Sequence, residues 1–289
     1  MAVGRDPTTL PADELWNDEI IEVARDGQGG GEIVWRWSFW EHLIQDRDET
    51  KPNFGKISEH PRRMDINVGA VNPFAFGQAD WMHTNSIAYN AKLDQIMISS
   101  NFQSEVYIID HSLTTEEAAG PAGDLLYRWG NPANYSCGEQ SDRQLGGQHN
   151  AHWIPDGLPG AGNILVFNNN ANTALAADMN AAEQFTTVDE IELPRPLKHY
   201  RRDAAGRSSY SYTYPLESQL PAGHFSPVEA TWRFAMTGFH SGFISGAQRL
   251  PNGNTLCCHG AHGTIFEVTL RGEVVWAFVN PIQIGRAHV

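Results

Sequence analysis

A six-residue signature occurs four times along this chain. It reads Glu32-Ile33-Val34-Trp35-Arg36-Trp37, Asp124-Leu125-Leu126-Tyr127-Arg128-Trp129, Glu229-Ala230-Thr231-Trp232-Arg233-Phe234 and Glu273-Val274-Val275-Trp276-Ala277-Phe278. Each copy is an acid, two mostly apolar residues, an aromatic, a spacer and a second aromatic. Gly31, Gly123 and Gly272 precede the acid in three of them. Alternating aromatics behind a turn glycine are strand chemistry. A strand signature recurring at this distance confines the chain to an architecture of repeated sheets.

The last copy ends the clearest unit. Residues 245–250, 255–258, 264–269 and 273–279 read as four strands. Pro251-Asn252-Gly253-Asn254 forms a tight turn in which Asn-Gly supplies the positive φ values that a hairpin needs. Four antiparallel strands in about 44 residues is the size of a propeller blade. Two longer units precede it. The first comprises strands at 83–90, 95–99, 105–110 and 124–129. The second comprises strands at 150–155, 163–168, 210–214 and 229–234. Segments 19–23 and 32–37 read as the final two strands of a further blade. The expectation is an all-β fold: a partial β-propeller domain over residues 1–283, with repeats near 15–37, 80–130, 147–234 and 240–281.

Two insertions interrupt the repeats, at 41–79 and 169–209. The second carries an alanine-rich stretch at 171–182 that suits a short helix. The last six residues, Ile284-Gly285-Arg286-Ala287-His288-Val289, match the translation of a sequencing-adapter read-through, and they are set aside from site reasoning. Both ends are expected to be those of a fragment. The first residues carry no charged-then-apolar signal segment.

Charge narrows the partner classes. With 20 Lys and Arg against 34 Asp and Glu, the formal net charge is −14, which argues against a general nucleic-acid binder. No apolar run is long enough to suggest a membrane span. The three cysteines, Cys137, Cys257 and Cys258, have no CxxC spacing. As strand neighbours, Cys257 and Cys258 point to opposite faces, so neither a zinc site nor a disulfide framework is expected.

Chemistry-bearing residues collect at strand entries. Gly147-Gln148-His149-Asn150-Ala151-His152-Trp153-Ile154-Pro155 places Gln, His and Asn at the mouth of one strand. Asp80-Trp81-Met82-His83-Thr84-Asn85-Ser86 places His and Asn likewise one unit earlier. In a propeller the first strand of each blade lies innermost, so repeat alignment brings His83 and Asn85 to the same end as Gln148, His149 and Asn150. Imidazole can act as nucleophile, acid or base, and Asn and Gln offer neutral donors to a developing oxyanion. His149 and His152 are three apart and point to opposite strand faces, which disfavours a shared metal. His152 is expected to pack against Trp153 within a blade. Trp35, Trp37, Trp129, Trp232 and Trp276 share one repeat position and are expected in the core between blades.

These segments resemble the arylsulfotransferase family. So do Gly123 through Pro132, Gly160 through Asn169, and Ser245-Gly246-Ala247-Gln248-Arg249-Leu250-Pro251-Asn252-Gly253-Asn254-Thr255-Leu256. The resemblance covers nearly all of residues 15–281. It implies a six-bladed propeller, of which this chain would supply about three and a half blades. It also implies ping-pong transfer of a sulfuryl group from a phenolic sulfate ester to a phenol through a sulfohistidine, with no cofactor and no nucleotide donor. Family members are often periplasmic or exported.

The resemblance carries His83, Asn85 and His149 onto the family's channel positions. It assigns His83 to leaving-group protonation or oxygen binding, and His149 to sulfuryl binding or acid–base work. Gln148 and Asn150 are expected to bind substrate. The nucleophile is expected in a later blade, at His262 first and His259 second, with His240 as a further candidate. The family's arginine shortly after the Gln-His motif is missing, since no arginine occurs between Trp153 and Arg195. Arg249 or Arg128 is the available substitute for substrate binding, but each reads first as structural, a strand arginine stacked on neighbouring Trp side chains. A non-catalytic propeller that binds a ligand in the same funnel is the alternative. A quinone-dependent dehydrogenase would want an Asp base and a calcium site, and the matching entry positions hold no Asp.

Overall fold

The computed structural model describes residues 3–9, 14–68, 79–171, 185–202, 208–216 and 224–281. In chain order the strands are β1 (Glu19–Arg25), β2 (Gly31–Ser38), β3 (Leu43–Ile44), β4 (Met64–Asp65), β5 (Thr84–Asn90), β6 (Gln95–Ser100), β7 (Glu105–Asp110), β8 (Tyr127–Trp129) and β9 (His149–Trp153). They continue as β10 (Ile164–Asn168), β11 (Thr187–Ile191), β12 (Leu197–Arg202), β13 (Ser208–Thr213), β14 (Trp232–Phe234), β15 (Gly246–Arg249), β16 (Thr255–His259), β17 (Thr264–Val268) and β18 (Val274–Val279). One short α-helix, α1 (Thr115–Ala118), is closed by a capping box between Thr114 and Glu117.

The chain is all-β. Its described residues hold three four-stranded antiparallel sheets, ordered β5-β6-β7-β8, β9-β10-β11-β14 and β15-β16-β17-β18, and a separate β1–β2 hairpin. This is the blade pattern that the repeat implies. One expected strand falls elsewhere. The third strand of the middle sheet is β11, whereas residues 208–213 pair with Leu197–Arg202 in a separate ribbon. The reason is burial of charge. Thr187-Val188-Asp189-Glu190-Ile191 is buried throughout, and its two acids are satisfied by Arg233 and Arg249. Acids are depleted in strands, so the sequence disguised it.

Alternation explains how the sheets stack. Strands β6, β7 and β10 are buried at every position. Ile96, Ile98, Tyr107 and Ile109 pack towards the β1–β2 hairpin with Trp35, Trp37 and Phe39. Met97, Val106 and Ile108 face the other way and meet Ile164, Val166, Trp129 and Trp153. Leu165 and Phe167, on the far face of β10, meet Ala247, Cys257 and Phe266 of the last sheet. Apolar runs without polar gaps are therefore strands covered on both faces. Trp35, Trp37 and Trp129 lie in this core as expected, and Trp232 packs against it. Trp276 does not, because all six residues of β18 are exposed.

The described part of the insertion after β2, residues 41–68, is part of the core, not a free loop. Ile44, Ile57, Met64 and Ile66 are buried within it. Arg62 ties it to the Leu125, Leu126 and Tyr214 carbonyls. The alanine-rich stretch and the final six residues lie outside the described residues, apart from Ala171.

Candidate active site

The first strands of successive sheets are linked by side chains at their entries. Asn85 Nδ2 donates to the Gln148 carbonyl at 2.7 Å, and Asn150 Oδ1 accepts from Ala247 N at 3.0 Å. Strand β5 thus reaches the start of β9, and β9 reaches the start of β15. The backbone at these entries is left-handed: φ is 47° at His83, 56° at Asn150, 51° at Ile244 and 86° at Ser245. Asn and His tolerate that region better than most residues, whereas Ile does not, and such clustering of strain marks sites where side chains are aimed deliberately.

The asparagines that follow the second strands make a matching set. Asn101 donates to the Gly147 and Gln148 carbonyls at 2.9 and 3.3 Å. One unit later, Asn169 donates to the Ser241 and Ile244 carbonyls at 2.7 and 2.8 Å. Each latches the entry of the next sheet. Neither was legible as a site residue, although both follow the last residue of a second strand.

Two imidazoles stand on these entries. His83 is exposed, stacks on Phe102 with ring centroids 4.5 Å apart, and places Nδ1 2.5 Å from Asp80 Oδ2. His149 is half-buried, with Nδ1 2.8 Å from Asn169 Oδ1. Burial pushes the His149 imidazole below its ordinary value and His83 adds to the shift, while the Asn169 and Gly147 contacts oppose it.

Three more imidazoles form a cluster on the following segment. His259 is buried and donates from Nε2 to the His240 carbonyl at 2.7 Å. Its ring lies edge-on to Phe239 and 4.3 Å from the His262 ring. Burial lowers both His259 and His240, and in each case His262 adds to the effect. His262 is exposed in a short 3-10 turn, Gly260–His262. His240 Nε2 lies 3.4 Å from Asn170 Oδ1. The adjacent pair Asn169 and Asn170 therefore connects His149 to the His240–His259–His262 cluster. The five imidazoles lie along one end of three neighbouring sheets.

Gln148 and Arg249 stand apart from this face. Gln148 is fully buried and donates from Nε2 to Ser99 Oγ and to the Ser100 and Glu105 carbonyls, at 2.9 to 3.0 Å, so it braces two sheets. Arg249 is three residues past the strand entry, roughly 10 Å along β15. It is buried, paired with Glu190 at 2.5 Å and placed over Trp232. Arg249 therefore takes the structural, Trp-stacked role of its two sequence readings and not the binding one, because β15 carries it to the opposite end. Arg128 is likewise enclosed with Glu105. His152 turns back to the Asn150 carbonyl at 2.9 Å.

A different arginine stands at the right end. Arg143 precedes the Gly146-Gly147-Gln148-His149 entry and is partly buried, with burial lowering its guanidinium. A β-carbon at Gly146 would lie 3.3 Å from Arg143 Nη1 and 1.8 Å from the Asn170 carbonyl oxygen. The close approach requires glycine at 146 and sets Arg143 beside the asparagine pair. Among the described residues no group of three or more His, Cys, Asp or Glu has metal-holding geometry, and no helix is long and apolar enough to cross a membrane.

Comparison with known proteins gives the class. The model of the arylsulfotransferase family (ASST) matches residues 10–275, and the chain belongs to that family. No curated protein matches significantly. Among solved structures, the chain is similar to a protein of unknown function from Bacteroides caccae (13% identity, TM-score 0.28, 91% of this chain and 69% of that one). It is also similar to virginiamycin B lyase from Staphylococcus aureus (13%, 0.29, 73% and 58%). A third is the periplasmic gluconolactonase PpgL of Pseudomonas aeruginosa (12%, 0.29, 90% and 62%). At these TM-scores the likenesses carry no argument. The chain spans 58% to 69% of the length of these structures.

Proposed function

We propose that this chain carries the sulfuryl-transfer face of an aryl-sulfate sulfotransferase, and that one imidazole of the His259–His262 pair is transiently sulfated, His262 first. The observation that carries the reading is the row of five imidazoles at one end of three sheets. Three of them, His149, His240 and His259, are held below the ordinary histidine value by burial. Neutral imidazole has a nitrogen lone pair at neutral pH, which a nucleophile or base requires.

In the first half-reaction the nucleophile's lone pair forms an N–S bond as the S–O(aryl) bond breaks and aryloxide leaves. The aryloxide departs as the anion on the side of the face where Asp80 anchors His83 through Nδ1. Arg143 and the Asn85 and Asn150 amides hold the sulfuryl oxygens as charge redistributes. In the second half-reaction the phenol oxygen attacks sulfur, the N–S bond breaks and the phenol proton passes to His149. No nucleotide and no metal takes part in either step. The natural reading of blade number follows the family: six, with the chain contributing a part.

The test is incubation with 4-nitrophenyl sulfate with and without a phenol acceptor, following nitrophenolate release and mapping sulfated peptides by mass spectrometry. Acceptor-dependent release with the adduct on the His259–His262 peptide is the expected result. An adduct at His149 or His240 would move the nucleophile. A folded protein giving neither release nor adduct would end the transfer reading and leave the face as a binding surface.

A further inference from the structure

We infer that Asn169 is a positioning residue that fixes His149 in the Nδ1–H tautomer, so that Nε2 carries the lone pair and His149 serves as proton acceptor and not as donor. The inference rests on the functional reading only for the identity of the proton that is accepted. The tautomer rests on the Asn169 contact, with burial keeping the ring singly protonated.

The Asn169 amide has one orientation that its surroundings permit. Its Nδ2 lies 2.7 Å from the Ser241 carbonyl and 2.8 Å from the Ile244 carbonyl. Both are obligate acceptors, so a flipped amide would set oxygen against two oxygens and lose two hydrogen bonds. Oδ1 is therefore the atom 2.8 Å from His149 Nδ1. An amide oxygen only accepts, which requires a proton on Nδ1. Burial disfavours a second proton on the same ring, and the nearby His83 opposes it further. The Gly147 carbonyl also contacts this ring, and in this assignment it shares the Nδ1–H, so that Nε2 keeps its lone pair. Free neutral histidine side chains favour the reverse, Nε2–H, so the protein selects the minor form.

The comparison within the chain shows that this goes beyond a latch. Asn101 performs the same double donation one unit earlier. The histidine of that earlier entry, His83, is anchored through Nδ1 by the Asp80 carboxylate. At the later entry the latch asparagine itself holds the ring. Asn169 thus joins three things: the end of β10, the segment leading into β15 and the tautomer of His149. A phenol O–H approaching Nε2 would pass its proton to that nitrogen, giving an imidazolium whose Nδ1–H still faces Asn169 Oδ1. Lysine-like donation from His149 to sulfuryl oxygens is excluded in the neutral state, which assigns that task to Arg143 and the entry amides.

The decisive measurement is long-range 1H–15N correlation on the native protein with 15N-labelled histidine, the His149 ring being assigned from the His149→Gln variant. Protonated Nδ1 and unprotonated Nε2 near neutral pH are expected. Protonated Nε2 in the wild type would overturn the inference, whatever the activity. Asn169→Ala should release the ring towards Nε2–H and slow the phenol-dependent half-reaction about 10²-fold more than it slows the nitrophenolate burst of the first half-reaction. Equal slowing of both halves in a folded Asn169→Ala protein would reduce Asn169 to a latch. If Nδ1–H is found while no sulfuryl transfer occurs, the tautomer assignment stands and the functional reading alone falls.

Discussion

Arg128 and Glu105 form a bidentate ion pair with no solvent exposure at either side chain: Nε to Oε1 is 2.8 Å and Nη2 to Oε2 is 2.5 Å. Tyr135 and Tyr107 lie against the guanidinium, and Asn134 donates to the same carboxylate. Asp189 and Arg233 repeat the pairing one sheet later. In the two central copies of the signature the arginine is thus the partner of a buried acid on the neighbouring strand, whereas Arg36 of the first copy pairs with Glu19 and Glu41 at the surface. Arg128→Met should cost about 3–5 kcal/mol in urea denaturation, because Glu105 is left buried without its cation. Arg128→Met with Glu105→Leu should recover most of that loss. A single variant within 1 kcal/mol of wild type, on the order of a surface pair, would refute the account.

Acid should destabilise the protein earlier than carboxylate titration alone would. Burial lowers His149, His240 and His259 from the ordinary value of 6.5. Their unfolded counterparts bind protons first as pH falls, so the stability they carry is complete above about pH 6.5 and is lost as pH drops through their folded values. The histidine contribution to the melting temperature should be flat above that point and decline below it, partly offset by Asp65, whose carboxyl burial pushes up to about 6 and which gains stability as pH falls. His149→Gln with His259→Gln should flatten the decline, which differential scanning fluorimetry across pH would read.

Gly246→Ala should damage the site from outside it. The new β-carbon would stand 2.7 Å from Asn150 Oδ1, the atom that accepts from Ala247 N. Asn150 must move and the link between β9 and β15 is lost. The expected cost is about 1–3 kcal/mol in stability, together with a clear fall in nitrophenolate release. Unchanged stability and activity would show that Asn150 can relax freely.

Arg143→Met should lower kcat/KM for an aryl sulfate by about 10²-fold, the scale of losing one preorganised oxyanion contact. Arg249→Met should act instead on folding, since its partner is Glu190 at the far end of β15. Parallel kinetics and melting curves on the two variants separate the roles.

Periodicity made most of the fold legible. The turn at Pro251-Asn252-Gly253-Asn254, the strands of the first and last sheets and the opposed Cys257 and Cys258 all follow from alternation, with Cys257 buried and pushed up to about 12 while Cys258 is exposed. Strand β11 was not legible, because Asp189 and Glu190 look like loop residues until Arg233 and Arg249 are seen beside them. The entry positions of His83 and His149 could be read from the repeat. The roles of Asn169 and Arg143 could not, since each depends on which carbonyl or glycine lies next to it across a sheet boundary. The same blindness placed Gln148 at the site and left Arg249 open between a structural and a binding role: the motif carries the residue type, but strand direction decides which end it serves.

The Asn85–Gln148 and Asn150–Ala247 links mean that no single sheet owns the imidazole row. A slight hinge between neighbouring sheets would part His83 from His149 while every strand ladder stayed whole. Warming or mild denaturant would then silence the chemistry while circular dichroism still reported full strand content, making turnover a more sensitive gauge of how the sheets are seated than any spectrum of their backbone.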